Sequence, residues 1–388
     1  MSTSDSILIA GGGIAGLAVA LALSRRGLPS RVLEQAKGFE EVGAGLQLGP
    51  NAMRALEALG VLDAVAPKLV APRAVEIRDG VSGKLLTAVP LGEAIETRFG
   101  AAYHVVHRAD LLAGLLAKAR TEPSITLETG MRLESFRQDA AGIAAIVKGQ
   151  EIAAPALIGA DGLRSTIREA VLRDGPPVYA NHTLYRALVP RAKAPAAAAQ
   201  DLVCLWLCPG GHVVHYPVSG GAKVNIVAAF DNHWHEPGWG SHGSKRALHT
   251  AFGRVTAPLH EVLDCTDRWL KWAAMDRPPA SQWGTGRVTL VGDAAHPVLP
   301  YLAQGAAMAI EDAVVLGRSL VGHGDLTTAF RAYEAERQPR VAQMQQHCRR
   351  LGRAYHARGA LRIARNLVLG LMTPDRSYGQ MKWIYDWH

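Results

Sequence analysis

The stretch GGGIAG, from Gly11 to Gly16, decides the fold of the N-terminal part of the chain. It stands between the apolar run Ile7 to Ala10 and a helix-like segment, Leu17 to Arg26, so it predicts a strand, a tight glycine turn and a helix. Gly11 permits the turn, Gly13 lets a pyrophosphate approach the backbone, and Gly16 lets the helix pack closely on the strand. The first N–H groups of the helix then face the phosphates of a dinucleotide.

A second apolar stretch, Arg31 to Leu33, ends in the carboxylate of Glu34. At this spacing the carboxylate can accept a hydrogen bond from a ribose hydroxyl and would repel a 2′-phosphate. The two features together predict a dinucleotide site, but they leave open which dinucleotide binds.

The composition indicates an ordinary globular protein with a large core. The 388 residues are 48% hydrophobic and 20% charged, with a net charge of +8. We expect no nucleic-acid partner, because no basic stripe with interleaved aromatic residues occurs. We also expect no membrane span, no metal site and no disulfide framework; four cysteines in so long a chain fit free, mostly buried thiols in the cytoplasm.

Two later strands are predicted to end in carboxylates. The apolar run Ala156 to Ala160 precedes Asp161, and Val288 to Val291 precedes Gly292 and Asp293. Open α/β sheets bind ligands at the carboxyl ends of their strands. After a proline-punctuated loop, Gly305 opens a long helix whose N-terminal N–H groups are free for a ligand.

The segment from about Val178 to Trp272 reads mainly as strands. In GHVVHYPV, a period of two places His212, Val214 and Tyr216 on one face. That face either lines a cavity or is half-buried against neighbouring residues. Elsewhere, Asn51 is predicted to cap a helix that runs to about Leu59, and Pro339 to kink or end a C-terminal helix. The aromatic tail MKWIYDW is expected to dock on the core.

Three motifs occur in one chain in a specific order: GGGIAG, GADG at residues 159–162, and GDAAHP at 292–297 before a glycine-opened helix. With EVGAGLQLGPNAMRAL, VVHRADLL and HVVHYP, the set resembles the single-component FAD-dependent aromatic hydroxylases of the p-hydroxybenzoate hydroxylase fold. The salicylate and 3-hydroxybenzoate hydroxylase branch is the most similar. The resemblance covers nearly the whole chain.

The resemblance implies a discontinuous, Rossmann-like α/β FAD-binding domain with an inserted, mainly antiparallel substrate sheet and C-terminal helices. The FAD-binding domain would comprise residues 1–72, 101–177 and 280–325, the substrate domain 73–100 and 178–279, and the C-terminal helices 326–388. FAD would be bound without a covalent link, and a homodimer is possible. The implied cofactor-binding residues are Gly11, Gly13, Ala15, Gly16, Glu34, Arg108, Asp161, Asp293, Gly305 and Ala306.

The implied reaction hydroxylates an activated aromatic ring through a flavin hydroperoxide, with O2 and either NADH or NADPH as co-substrates. His212 is the candidate for binding or deprotonating the ring hydroxyl. Tyr216 would orient the ring, and Tyr103 would close the pocket. Pro300 stands where several 3-hydroxybenzoate 6-hydroxylases carry glutamine, so the expected substrate is a hydroxylated aromatic acid or a similar heteroaromatic. The alternatives are a tailoring hydroxylase for a larger aromatic natural product and a non-catalytic FAD-binding redox sensor.

Overall fold

A parallel sheet grows out from the N-terminal glycine turn. The structure is a computed structural model and describes residues 5–39, 43–140, 142–232 and 241–388. The strands of this sheet, numbered with all others in chain order, are β1 (Ile7–Ala10), β2 (Ser30–Glu34), β7 (Ile125–Thr129), β11 (Leu157–Gly159) and β18 (Val288–Leu290). They lie in the order β18-β11-β1-β2-β7, all parallel. The carboxyl ends of β1, β2, β11 and β18 therefore meet at one edge.

The helix after the glycine turn, α1 (Ile14–Ser24), is apolar on every side because it is covered on every side. It packs on the parallel sheet and against α5 (Arg108–Arg120) and α9 (Gly305–Gly322). At the crossing with α9, a Cβ on Gly317 would lie 3.0 Å from the Cβ of Ala22, so the two helices approach closely. This packing fixes the N-termini of both helices next to the strand ends.

A second sheet has eight strands, and all its neighbouring strands are antiparallel except one parallel pair, Ala74–Asp79 with Val203–Cys208. Its strands come from residues 74–90 and 178–276, the segments assigned above to the substrate domain. They are β16 (Ser241–Gly243), β17 (Trp269–Asp276), β12 (Val178–Pro190), β15 (Lys223–Asp231), β14 (Gly211–Val218), β13 (Val203–Cys208), β4 (Ala74–Asp79) and β5 (Leu85–Pro90), in this spatial order. The predicted α/β class with a mainly antiparallel second sheet is confirmed, whereas the domain boundaries stay predictions.

Smaller elements connect and cover the two sheets. A two-stranded sheet pairs β3 (Gly45–Leu48) with β6 (His104–His107), and a three-stranded sheet contains β8 (Leu133–Gln138), β9 (Ile143–Val147) and β10 (Gln150–Ala154). The other helices are α2 (Pro50–Ala58), α3 (Leu62–Val65), α4 (Glu93–Phe99), α6 (Thr166–Leu172), α7 (Lys245–Phe252), α8 (Ala257–Asp264), α10 (Leu326–Tyr355), α11 (Gly359–Gly370) and α12 (Pro374–Tyr385). In the part of the chain that the structure describes, no helix has the length and apolar character needed to cross a membrane.

One local prediction is wrong, and another is wrong in one of its two alternatives. Asn51 does not cap α2: Gly49 holds the cap position, and the Asn51 side chain is buried, where it donates to Gln304 and Glu311. Pro339 lies inside α10 and does not end the helix, so only the alternative of a kink stays a prediction.

Two other predictions are confirmed. The tail docks on the core, with Tyr385 edge-on to Phe99 and Tyr103. All four cysteines are free thiols, and Cys204, Cys208 and Cys348 are buried.

Candidate functional site

A cavity of about 670 Å³ lies where the two large sheets meet. Strand ends of the parallel sheet, β3, the N-terminus of α9 and one face of the eight-stranded sheet form its wall. The predicted site residues that line it are Gly11, Gly13, Ala15, Glu34, Arg108, Asp161, His212, Tyr216, Asp293, Pro300, Gly305 and Ala306. The other two, Gly16 and Tyr103, are absent from this wall. The fold thus brings together residues nearly 300 positions apart in the chain.

In the glycine turn, two glycines lie against neighbouring backbone and a third faces open space. Gly11 has φ +109°, and a Cβ there would lie 2.3 Å from the carbonyl oxygen of Ala160. A Cβ on Gly16 would lie 1.9 Å from the carbonyl oxygen of Gly11, so only glycine lets α1 begin this close to β1. A Cβ on Gly13 would meet nothing within 4 Å. Gly13 therefore exposes its backbone to the cavity, and no side chain caps α1.

Glu34 and Asp161 place carboxylates on either side of this turn. Glu34 accepts hydrogen bonds from the N–H groups of Gly12 at 2.8 Å and Ala36 at 2.7 Å, which fixes the carboxylate against the glycine turn. The Oδ2 atom of Asp161 accepts from the N–H group of Thr166 at 2.8 Å.

The Oδ1 atom of Asp161 is buried without a hydrogen-bond partner among the described residues. Burial raises the pKa of this carboxyl group. A buried acceptor that lacks a donor costs free energy. This oxygen therefore fits a ligand that brings a hydroxyl or N–H group, as a flavin dinucleotide does.

The N-terminus of α9 faces the cavity from the opposite side. No side chain caps it, because the amide of Gln304 at the cap position accepts instead from Asn51 at 2.9 Å. Gly305 and Ala306 therefore present the positive end of an 18-residue helix to the cavity. Asp293, in a 3₁₀ turn just after β18, lies beside them on the same wall. A ligand with a hydroxylated chain and a ring that gains negative charge fits this end.

The period of two in β14 is confirmed. His212, Val214 and Tyr216 line the cavity, whereas Val213 packs in the core on the other side of the sheet. His215 also points away, where its Nε2 atom accepts a hydrogen bond from the Trp206 indole at 3.0 Å.

His212 is a buried base with one nitrogen already engaged. Its side chain is buried, and its Nδ1 atom lies 3.1 Å from Nε2 of His356. Burial lowers the pKa of His212 well below its usual range, and the nearby His356 and His182 lower it further. At neutral pH the ring is therefore uncharged, and a proton taken from a ligand would leave an unfavourable buried cation on His212 unless a proton left from the other ring nitrogen.

Tyr103 reaches the site only through Gln47. Its hydroxyl donates to the Gln47 side-chain oxygen at 2.5 Å. Gln47 lines the cavity, so Tyr103 positions it from behind rather than closing the pocket itself.

Arg186 and Trp272 also line the cavity, although sequence reasoning missed them. The Arg186 guanidinium lies 5.1 Å from the Trp272 ring centroid, and its Nε atom has no hydrogen-bond partner among the described residues. Burial and the neighbouring charge of Arg108 lower its pKa to about 10, so it stays a cation at neutral pH. The strands predicted from about Val178 to Trp272 include Arg186, but a strand pattern alone does not indicate which face lines a cavity.

A family model described as an FAD binding domain matches residues 5–348. The chain belongs to this FAD-binding family. The flavoprotein is 40% identical to a 3-hydroxybenzoate 6-hydroxylase of Polaromonas naphthalenivorans. The alignment covers 98% of this chain and 96% of the relative. It is 39% identical to a 3-amino-4-hydroxybenzoate 2-monooxygenase of Streptomyces cremeus over 90% and 87% of the two chains.

Solved structures agree with these relatives. HpxO of Klebsiella pneumoniae, complexed with FAD and uric acid, superposes with a TM-score of 0.86 at 27% identity over 97% and 95% of the chains. A salicylate hydroxylase substrate complex superposes with a TM-score of 0.83 at 25% identity over 100% and 97%. The flavoprotein is therefore an FAD-dependent aromatic monooxygenase that uses NAD(P)H as co-substrate. These relatives favour an enzyme over a non-catalytic FAD sensor.

Replacing Gly13 with valine is expected to preserve the fold and to weaken FAD binding by about tenfold or more, because the new side chain projects into the cavity. Flavin absorbance of the purified protein and titration of the apoprotein with FAD measure the effect, with the thermal midpoint as the check on folding. Gly16→Val is the matched control: its side chain would collide with the Gly11 backbone, so the thermal midpoint itself should fall. Normal FAD affinity in a folded Gly13→Val protein would contradict the assignment.

Proposed function

We propose that this flavoprotein hydroxylates a hydroxybenzoate, with 3-hydroxybenzoate as the first candidate and the carbon para to its hydroxyl as the position. The observation that carries the proposal is the pairing of a neutral buried histidine, His212, with a half-buried cation, Arg186, on one apolar sheet face. An aromatic ring with a hydroxyl and a carboxylate can place the hydroxyl at His212 and the carboxylate at Arg186. The names of the relatives, which include 3-hydroxybenzoate 6-hydroxylases, support the same substrate class.

The strand register sets the separation of the two groups. His212 pairs with Ala229 of β15, and Arg186 pairs with Val227 on the other side of the same strand. The two backbone positions are therefore about 10 Å apart across the strands and about 7 Å apart along them. Both side chains reach inward from these positions, which leaves room between them for one aromatic ring.

Each wall residue has a role in this proposal. His212 accepts the proton of the ring hydroxyl, which makes the ring more electron-rich. Arg186 binds the carboxylate, and Tyr216, on the same wall, orients the ring. Val214, Val227 and Leu184 form an apolar surface that excludes water. Bound FAD supplies hydride acceptance and oxygen activation, so that one atom of O2 enters the ring and the other leaves as water.

The positions of several wall residues support roles in holding the cofactor. Gly11, Gly13 and Arg108 would hold the pyrophosphate, and Glu34 the adenosine ribose. Asp161 and Asp293 would hold hydroxylated parts of the cofactor. The N-terminus of α9 would stabilise negative charge on the reduced ring.

A panel of aromatic acids tests the proposed activity. The purified holoenzyme is incubated with NADH or NADPH and with 2-, 3- or 4-hydroxybenzoate, and both ring-hydroxylated product and hydrogen peroxide are measured. We expect 3-hydroxybenzoate to give 2,5-dihydroxybenzoate with little peroxide. Pro300 offers no side-chain donor to the ring, so salicylate is the principal competitor in the panel. Turnover only of larger aromatic compounds would favour a tailoring hydroxylase and overturn the proposal.

Arg186→Met should raise the KM for 3-hydroxybenzoate by about 10- to 100-fold, the effect expected for losing a charged hydrogen bond. Methionine keeps an apolar contact with Trp272 and removes the positive charge together with its N–H donors. The control ligand is 3-hydroxybenzyl alcohol, which lacks the carboxylate and should bind both proteins equally. A raised KM for NADH with an unchanged KM for the acid would instead assign Arg186 to the nicotinamide nucleotide.

We further propose that the protein is a cytoplasmic homodimer. The four free thiols support a reducing compartment.

Helix α11 exposes an apolar surface formed by Leu361, Ile363, Leu367 and Val368, each more than half exposed. Such a patch is typical of an interface, and a second copy of the chain would cover it. Light scattering should give about twice 41.4 kDa, and Leu367→Glu should return the monomer mass; a wild-type monomer would contradict the dimer.

A further inference from the structure

We propose that His356 and Asp231 form a proton exit route that connects His212 in the cavity with the protein surface. The inference rests on the proposed function, in which His212 receives the proton of the ring hydroxyl. It assigns a proton-transfer role to two residues outside the cavity wall.

The route is a continuous row of hydrogen bonds. Nδ1 of His212 lies 3.1 Å from Nε2 of His356, and Nδ1 of His356 lies 2.5 Å from Oδ1 of Asp231. The exposed fraction rises along the row. It is 5% for His212 and 7% for His356, and it reaches 40% for the Asp231 side chain. The row therefore begins at the cavity and ends at solvent.

The three residues come from separate elements, which the fold must bring together. His212 lies in β14, Asp231 ends β15, and His356 directly follows α10. The C-terminal end of α10 is held at this point because the Gly210 N–H donates to the His356 carbonyl oxygen at 3.1 Å. The side chains are thus fixed on both sides of the contact.

Other titratable groups surround the row and set its charge. His182 of β12 packs against the His356 ring at 4.5 Å, hydrogen-bonds Tyr301, and has its Nε2 atom 3.6 Å from Asp231. Tyr355 lies edge-on to His212. Arg358 donates to the second oxygen of Asp231 at 3.1 Å, so this carboxylate faces solvent next to a cation.

The proton balance along the row is simple. The ring O–H bond breaks, and its proton goes to Nε2 of His212. The Nδ1 proton of His212 moves to Nε2 of His356, and the Nδ1 proton of His356 moves to Asp231. Both histidines end neutral in the other tautomer, and the proton leaves from Asp231 to water. Transfer in the reverse direction returns a proton to the ring oxygen when the product regains aromaticity.

Proton transfer along the row avoids a positive charge on His212. A cation on His212 would be buried, and burial already lowers its pKa well below the usual range. Burial raises the pKa of Asp231, but the hydrogen bond and charge of His356 lower it overall. The carboxylate is therefore ionised at neutral pH and can balance a proton that arrives on His356.

The test follows the release of a proton when a chromophoric ligand binds. The probe is 3-hydroxy-4-nitrobenzoate, whose phenolate absorbs visible light; it is mixed in a stopped-flow instrument with oxidised holoenzyme without NAD(P)H, at a pH at which the free probe keeps its phenolic proton. Asp231→Asn and His356→Gln should each slow phenolate formation by about tenfold or more, a modest fraction of what positioned acid–base groups contribute. The Kd of the probe should change less than about threefold, and Asp231→Glu should restore most of the rate.

Asp201→Asn is the matched control, because it removes an exposed carboxylate that is ion-paired with Arg191 far from the row. Its rate should equal that of the wild type. Thermal midpoints check the folding of each variant, and the two route variants test the row independently. Wild-type rates in both variants, with a slow rate in His212→Ala, would overturn the route while leaving the proposed function intact. Absence of phenolate in the wild type would instead count against the proposed function.

Discussion

The site depends on the buried guanidinium of Arg337, which is 1% exposed and lies between two carboxylates of α9. It donates to Glu311 at 2.6 Å and to Asp312 at 2.7 Å. Burial opposes the ionisation of Asp312, yet the charges of His296 and Arg337 lower its pKa to about 2. The charges compensate one another, and removing one partner of such a network costs about 3–5 kcal/mol because an unpaired charge stays buried.

This network explains how distant parts of the cavity wall hold their places. Asp312 accepts from the N–H group of Gly292, which fixes the turn that carries Asp293. Glu311 accepts from Asn51, and Asn51 also donates to Gln304, which leaves the start of α9 uncapped and open to the cavity. Arg340 connects the same glutamate to the carbonyl groups of Trp383 and Ile384 in the C-terminal tail. A ligand therefore meets a helix terminus and a carboxylate whose positions are held by hydrogen bonds within the chain.

Much of the cofactor site could be predicted from sequence because its requirements are local. A glycine turn between a strand and a helix, and carboxylates directly after buried strands, appear within a few residues, and Gly13, Glu34, Asp161 and Asp293 all line the cavity. The period of two also placed His212 and Tyr216 on one face. The rest depended on contacts between distant segments. Arg186 lies beside Trp272 through strand pairing, and His356 reaches His212 from 144 positions away. Asn51 illustrates the limit: its position suited a helix cap, but the buried carboxylate of Glu311 competed for its side chain.

The central claim is that the sheet face between His212 and Arg186 binds the ring of a hydroxybenzoate against the cofactor. A crystal structure of the FAD-loaded protein with 3-hydroxybenzoate measures this directly. The account predicts the ring hydroxyl within hydrogen-bond distance of His212 Nε2 and the carboxylate on the Arg186 guanidinium. A ring bound away from this face, or with its carboxylate towards His212, would contradict it.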